Sequence, residues 1–272
     1  MDYRFDHFRR WQLFDGFQFS AGQQPGGSVP DFDLPTLSRG RVRKSDFMGS
    51  CPALLTFASL TDPMAASAAP VLKRLHREFC GSVAFITVYV RESHPGDHIP
   101  QPDSLDAKIR HARMLRDRDA IPWTIAVDDL EGAFHRALGG NSSAAYLMDP
   151  SGNVAFRTPC SNDERGLRDA LLAISQGEAG VRRSHRPLAR ERRLVPFARA
   201  LAHVDEVVRA AGPGAVEDLR REAPLVYAAA EVAWIWRTLT PLGRLAVALA
   251  GAVAAASFYG GVRFLRRGRS PT

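Results

Sequence analysis

The feature that most constrains the fold is an alternation of short apolar runs with segments of helical periodicity. Val83–Val90 (VAFITVYV) is rich in β-branched and aromatic side chains, as is typical of a strand buried on both faces. Ala53–Phe57 is a similar run, and residues 64–79 between the two place apolar side chains at helical spacing. This alternation predicts an α/β domain in which a sheet lies between layers of helices.

The pattern continues toward the C-terminus. The sequence predicts a charged helix over 105–118, strands at Thr124–Val127, Ala144–Met148 and Val154–Arg157, and a last helix ending near Ser175. Asp149–Asn153 has the residues of a hairpin turn, and Ser161 or Asn162 can cap the last helix. We therefore expect a domain over residues 28–177, preceded by an aromatic arm, residues 1–27, that packs on it.

Positive charge is concentrated in the C-terminal third. From residue 181 onward there are 16 arginines and 7 acidic residues, a net charge of +9, whereas the first 180 residues have a net charge of −2. We expect a basic linker over 178–195 and a helical region over 196–240, with helices at about Pro196–Ala211 and Ala215–Leu239. The basic residues have no interleaved aromatic platform, so nucleic acid is not an expected partner.

Residues 245–262 contain no charged side chain and would span about 27 Å as a helix, enough to cross a hydrocarbon core. Trp234 and Trp236 precede this segment, where interfacial aromatics are common. We expect one membrane-spanning helix, a basic tail over 263–272, and attraction of the Arg-rich linker to anionic lipid. Small residues in the helix would also permit a homodimer. The alternative is a buried helical hairpin in a soluble domain.

The N-terminus lacks the continuous apolar run of a signal peptide, so the folded domain is expected in the cytoplasm. The three cysteines, Cys51, Cys80 and Cys160, form no CxxC and no zinc-type spacing. Cys80, at a helix end, is expected to pack as a small apolar side chain. No cofactor and no metal site is predicted; an Asp/His/Glu metal site has no supporting spacing.

Three segments in order, VPDFDLPTL, TFASLTDPM and VAFITVYVRESHPGD, resemble the redoxin superfamily, which includes peroxiredoxins and the iodothyronine deiodinases. The series Tyr89-x-x-Glu92-x-His94, followed by Asp97, is similar to the deiodinase-like branch. The resemblance covers roughly residues 28–175. It implies a thioredoxin-like fold and a reactive cysteine or selenocysteine before a proline, at the N-terminus of a helix.

Asp62, between Thr61 and Pro63, stands where the resemblance places that nucleophile. Aspartate is a favourable N-cap, and proline suits the first helical position. A carboxylate, however, cannot be oxidised to a sulfenic acid. Redox catalysis by the mechanism of the family is therefore not expected from this residue.

The resemblance also implies that Glu92 and His94 lie near the reactive centre and help to move protons. We predict that these two residues share a pocket with Asp62 and Thr61 at the carboxyl ends of the strands. That pocket is either a retained binding site or proton relay, or a loop held by local hydrogen bonds. Cys160, after the fifth strand, is the alternative nucleophile.

Three functions remain open at this stage. The first is a membrane-associated, deiodinase-like redoxin that has lost its nucleophile and serves as a binding or regulatory module for a small-molecule ligand. The second is an active thiol oxidoreductase of the peroxidase or reductive dehalogenase class that uses Cys160 and a thiol reductant. The third is a membrane scaffold that acts through its tail.

Overall fold

A five-stranded mixed sheet forms the centre of the fold in the computed structural model, which describes residues 3–10, 12, 19, 22–177 and 190–239. The strands are β1 (Asp33–Pro35), β2 (Arg41–Arg43), β3 (Ala53–Ala58), β4 (Ala84–Tyr89), β5 (Thr124–Val127), β6 (Ala145–Met148) and β7 (Val154–Thr158). The sheet order is β5-β4-β3-β6-β7. β3, β4 and β5 are parallel, whereas β6 and β7 run antiparallel to their neighbours. β1 and β2 form a separate hairpin.

Seven helices accompany the strands in the described part of the chain. They are α1 (Pro63–Phe79), α2 (Leu105–Asp119), α3 (Ala133–Ala137), α4 (Glu164–Ser175), α5 (Arg190–Ala211), α6 (Pro213–Glu222) and α7 (Pro224–Thr238). Leu54 and Leu147 of the sheet pack against α1 and α4, and Tyr89 packs with residues of α2. The opposite face, with Phe57 and Val88, is covered by the β1–β2 hairpin and by Phe134 of α3.

The structure confirms the predicted strands, the two crossover helices and the Asp149–Asn153 turn, where Gly152 has a φ of +81°. The β1–β2 hairpin and α3 were not predicted. Each hairpin strand is three residues long with one buried apolar side chain, Leu34 or Val42, so no alternation is visible in the sequence. The second outer layer is therefore mainly a hairpin, where the sequence predicted helices.

The cap of α4 and the start of α5 differ from the prediction. α4 is capped by Asp163, whose carboxylate accepts a hydrogen bond from the Gly166 amide at 3.2 Å, and not by Ser161 or Asn162. α5 begins at Arg190, inside the predicted linker 178–195, because Arg, Glu and Leu continue the helix ahead of Pro196.

The predicted helix over Ala215–Leu239 is two helices. Ala223 leaves the helical region of backbone space, with φ −141° and ψ 61°, directly before Pro224. A proline has no amide hydrogen and its ring excludes the preceding helical turn, so a new helix begins there.

No helix within the described ranges is both long and apolar enough to cross a membrane. The predicted spanning segment 245–262 and the basic tail 263–272 lie outside the described residues, as do residues 178–189 of the linker.

Residues 3–10 of the aromatic arm form neither a helix nor a strand and pack against the domain. Tyr3 and Phe8 are buried, and the Tyr3 hydroxyl lies 2.9 Å from Nδ1 of His135 in α3. Arg91 follows β4; its guanidinium carbon lies 4.9 Å from the Tyr3 ring centroid, and it donates a hydrogen bond to the Tyr3 carbonyl at 2.7 Å. The arm is therefore fixed to the domain by aromatic packing and by cation–π contact.

Candidate functional site

Asp62 occupies the turn between β3 and α1, at the carboxyl edge of the parallel strands. It is the N-cap of α1: one carboxylate oxygen accepts a hydrogen bond from the Met64 amide at 2.8 Å, and Pro63 takes the first helical position. The other oxygen accepts a hydrogen bond from the Ser143 hydroxyl at 2.9 Å. Ser143 lies in the loop before β6. Asp62 is therefore held from both sides of the turn.

The Asp62 side chain is buried, at 4% exposure. Removal from water disfavours the ionised form and raises the pKa of this carboxyl to about 6. The hydrogen bonds from Ser143 and from the helix amides, together with the nearby Arg118 guanidinium, limit that rise. An acid of this pKa can hold or release a proton near neutral pH.

Glu92 is fully buried and accepts hydrogen bonds on both carboxylate oxygens. Its Oε2 receives the Thr61 amide at 3.0 Å and the Thr61 hydroxyl at 2.8 Å. Its Oε1 accepts from the Tyr89 hydroxyl and lies 3.0 Å from Nδ1 of His111 in α2. The Leu60 amide donates to the Tyr89 oxygen at 3.1 Å, so the turn before α1 is tied to β4 and α2.

His94 follows Glu92 and closes over the same turn. Its amide donates to the Thr61 hydroxyl oxygen at 3.1 Å, and its ring lies against Phe8 of the arm with centroids 4.4 Å apart. Within the described part of the chain, its buried Nδ1 has no hydrogen-bond partner. Burial lowers the pKa of this imidazole to about 4, so the ring is neutral at pH 7.

The structure thus brings Thr61, Glu92 and His94 into one hydrogen-bonded network. Asp62 is the next residue along the chain, but its carboxylate faces Ser143 on the other side of the turn. Cys160 lies in a third place, buried among Met64 of α1, Ala200 of α5 and neighbouring apolar side chains. The four predicted pocket residues are therefore divided between two adjoining polar clusters, with Cys160 behind the first turn of α1.

None of the cysteines in the described ranges occupies the N-cap position of α1, which Asp62 holds. Cys51 precedes β3, Cys80 is the C-cap of α1, and Cys160 follows β7. Cys80 is exposed, contrary to the expectation that it packs as an apolar side chain, because the helix ends there at the surface. No set of three or more His, Cys, Asp or Glu side chains in the described ranges is arranged to hold a metal ion.

The sequence analysis assigned no role in the site to three of its polar side chains: Tyr89, His111 and Ser143. The Tyr89-x-x-Glu92 spacing was a usable signal, because a strand end followed by a sharp turn brings the two side chains to the same edge. His111 is one of many polar residues on a charged helix, and Ser143 is one of several small residues in its loop. Neither can be singled out without the fold.

Known proteins with similar sequences include the iodothyronine deiodinases. Residues 9–132 match the sequence model of the iodothyronine deiodinase family. The thyroxine 5-deiodinase of Gallus gallus is 30% identical over 141 residues, which cover 48% of this chain and 54% of that protein. The human thyroxine 5-deiodinase is 26% identical over 143 residues, 48% of this chain and 46% of the relative. The chain therefore spans about half the length of the curated relatives it matches.

Solved structures with a similar fold include a thiol:disulfide interchange protein, DsbE, from Chlorobium tepidum, with a TM-score of 0.46 and 21% identity over 57% of this chain and 99% of that one. Peroxidoxin BcpB from Mycobacterium tuberculosis has a TM-score of 0.43 and 15% identity over 58% of this chain and 99% of its own.

The sheet order and the capped turn that opens α1 are those of a thioredoxin-like α/β fold. Within that fold class, residues 9–132 are similar to the iodothyronine deiodinases.

Proposed function

We propose that this protein is a deiodinase-like redoxin that lacks the reactive thiol or selenol and serves as a binding or regulatory module. The observation that carries the proposal is the placement of Asp62. It is the N-cap of α1, in the turn where a redoxin nucleophile would receive the helix amides, and its carboxylate is engaged by Met64 and Ser143. A carboxylate there can bind or exchange protons but cannot accept oxygen from a peroxide.

The network behind this turn supports a retained site. Glu92 is fully buried yet its acceptors are met by Thr61, Tyr89 and His111, an arrangement that fixes the turn in one geometry. His94 adds a neutral imidazole with a buried nitrogen. These groups suit a small polar ligand with a hydrogen-bond donor, which is the ligand class that we propose.

The alternative function, a thiol oxidoreductase that uses Cys160, has less support. A reactive cysteine needs an exposed thiol in an electropositive setting. Cys160 is 1% exposed and packs among apolar side chains at Met64 and Ala200. A thiol reductant would have to reach it through α5.

We further propose that the C-terminal region associates with a membrane from the cytoplasmic side, through the uncharged segment 245–262 and the Arg-rich stretch 182–193. The basis is the sequence pattern described above. A scaffold role, in which the tail pairs with that of a second copy, is the remaining candidate, and self-association of the full chain in detergent would test it.

Restoring the thiol tests the main proposal. In Asp62→Cys, the helix amides at the start of α1 should favour the thiolate. Its sulfur would attack one oxygen of hydrogen peroxide, the O–O bond would break, and the leaving hydroxide would be protonated to water while the cysteine became a sulfenic acid. Because position 62 is buried, the matched reference is the buried Cys160: we expect trapping of that sulfenic acid to be on the order of tenfold faster than at Cys160 of the same chain.

Asp62→Ala is the matched control, and none of its cysteines should form a sulfenic acid at the rate expected for Asp62→Cys. A folded Asp62→Cys variant in which residue 62 reacts no faster than the equally buried Cys160 would contradict the assignment of Asp62 to the nucleophile position. A wild-type protein that forms a sulfenic acid on Cys160 at that fast rate would favour the oxidoreductase alternative.

A further inference from the structure

The redoxin site is covered by two segments from outside the central domain. α5 lies along the first turn of α1, where Ala200 and its neighbour Phe197 pack on Met64 and Cys160. The Asn162 side chain donates to the carbonyl of Pro196 at 2.8 Å, which fixes α5 to the loop before α4. α5 therefore lies directly behind the turn that holds Asp62.

The end of α5 fits the loop that carries His94. The Ala211 carbonyl accepts hydrogen bonds from the amides of His98 at 2.9 Å and Ile99 at 3.3 Å. Gly96 lies so close that a β-carbon there would be 2.5 Å from the Ala211 oxygen. Only glycine leaves room for this approach.

The start of α6 continues the contact. The Asp97 carboxylate accepts a hydrogen bond from the Gly214 amide at 2.6 Å, so a residue of the His94 loop satisfies a free amide at the N-terminus of α6. Substitutions at Gly212 or Gly214 would bring a β-carbon within about 2.9 Å of Asp97. The His94 loop and the α5–α6 junction are therefore held as one unit.

The aromatic arm joins both parts. His7 Nδ1 lies 3.0 Å from the Asp218 carboxylate of α6, and the Arg10 side chain donates to the Glu222 carbonyl at 2.9 Å. Between these contacts Phe8 covers the His94 ring.

α5, α6 and α7 pack on one another around Val204, Val208, Leu219, Tyr227 and Ala230, and the same apolar cluster continues onto Leu60, Tyr89 and Leu115 of the central domain. Helices that pack on one another can detach from the central domain as one cooperative unit while the sheet stays folded.

We infer that the α5–α6 segment together with arm residues 3–10 is a strap that closes the redoxin site and can be released while the central sheet stays folded. Its polar and close-approach contacts are the Asn162–Pro196 hydrogen bond, the Gly96–Ala211 approach and the Asp97 cap on α6. Its apolar contacts are the patch at Met64 and Ala200 and a cluster in which Val204 and Val208 pack with Leu60, Tyr89 and Leu115. Release would expose Asp62, His94 and Cys160 to solvent and ligand. The inference does not depend on which ligand the site binds.

Cys160 is a natural reporter for the strap, because it is buried beneath Ala200 while Cys80 is exposed. The experiment measures alkylation of each cysteine by iodoacetamide in the full chain, by mass spectrometry. Gly96→Ala introduces the 2.5 Å contact with Ala211, whereas Gly81→Ala meets nothing within 4 Å and is the matched control. We expect Gly96→Ala to raise the Cys160 rate on the order of tenfold, with Cys80 and the control unchanged.

Hydrogen exchange of β3 and β4 separates strap release from unfolding. In the proposed device these amides stay protected in Gly96→Ala, while amides of α5 exchange faster. An unchanged Cys160 rate, or loss of β3 and β4 protection together with the Cys160 change, would overturn the inference.

If Gly96→Ala does not fold, Asp97→Ala removes the α6 cap without adding volume and should act in the same direction. Asp97→Asn keeps an acceptor for Gly214 and should restore most of the wild-type rate. Equal Cys160 rates in the wild type, Asp97→Ala and Asp97→Asn would equally overturn the inference.

Discussion

Asp62 and His94 are displaced from their ordinary pKa values in opposite directions by the same cause, burial. The folded pKa of Asp62 is raised from 3.8 to about 6, so the folded protein holds this proton more firmly than the unfolded chain. Its contribution to stability is present at low pH and is lost as the pH rises from about 4 to 6. The folded pKa of His94 is lowered from 6.5 to about 4, so its contribution is lost as the pH falls through that window.

Between pH 4 and 6.5 the two residues therefore change the free energy of unfolding in opposite directions, and single variants should separate the two contributions. In Asp62→Asn, the free energy of unfolding should rise more steeply with pH than in the wild type, because the opposing contribution is gone. In His94→Phe the rise should be flatter. Each difference should approach roughly 3 kcal/mol across the window, at 1.36 kcal/mol per pKa unit. Urea unfolding at several pH values measures both, and identical slopes in all three proteins would contradict the argument.

Glu92 should be sensitive to loss of one acceptor oxygen. A glutamine has one carbonyl oxygen, so in either orientation the Thr61 pair or the Tyr89 and His111 pair faces an amide nitrogen. We expect Glu92→Gln to lower the free energy of unfolding by roughly 2–3 kcal/mol. The control, Glu78→Gln, alters an exposed ion pair with Arg168 and should change stability by less than about 1 kcal/mol. A Glu92→Gln effect as small as the control would show that the network does not fix the turn.

Sequence reasoning predicted the cap role of Asp62, because local geometry decides it: an acidic residue followed by proline starts a helix. It could not find Ser143, which lies 81 positions further on and meets Asp62 only through the pairing of β3 with β6. It also placed Asp62 in one pocket with Thr61, Glu92 and His94, whereas the Asp62 carboxylate faces Ser143. The direction of a carboxylate depends on donors supplied by other elements, which the local sequence does not reveal.

At the scale of elements, the strands with continuous apolar runs were predictable because both of their faces are buried. The β1–β2 hairpin was not, since it covers the sheet with one side chain from each strand. In the C-terminal region the helical periodicity was visible, but the break between two helices was not. The break at Ala223 depends on Pro224, a residue that is also compatible with the first turn of a helix.

The docking of the arm makes an element-scale prediction at Gly132, the N-cap of α3, where a β-carbon would lie 1.9 Å from the Tyr3 ring. Gly132 and Gly140 both have positive φ, +63° and +70°, but Gly140 has open space around it. Alanine at either position incurs the backbone strain, and only Gly132→Ala displaces the arm. We expect Gly132→Ala to be less stable than Gly140→Ala by roughly 1–3 kcal/mol and to be cleaved faster by trypsin at Arg9 or Arg10. Equal stability and cleavage would show that the arm does not depend on this contact.

At the scale of the whole molecule, a redoxin domain is enclosed by parts of the chain that lie before and after it. Phe8 covers His94, and α5 covers the first turn of α1 and Cys160. None of these contacts could be read from periodicity, because they join residues far apart in the sequence: Phe8 and His94 are 86 positions apart, and Cys160 and Ala200 are 40 apart. The enclosure explains why every candidate site residue is buried, and it fits a regulated binding module better than an open thiol enzyme.

The most direct test of the central claim is the oxidation of the wild-type protein by hydrogen peroxide, followed at each cysteine by mass spectrometry. Because the position before Pro63 holds a carboxylate, we predict that Cys51, Cys80 and Cys160 are each oxidised no faster than a cysteine in an unfolded peptide of this chain. Selective oxidation of one of them, on the order of a hundredfold or more above that reference, would mean that the protein has a working redox thiol.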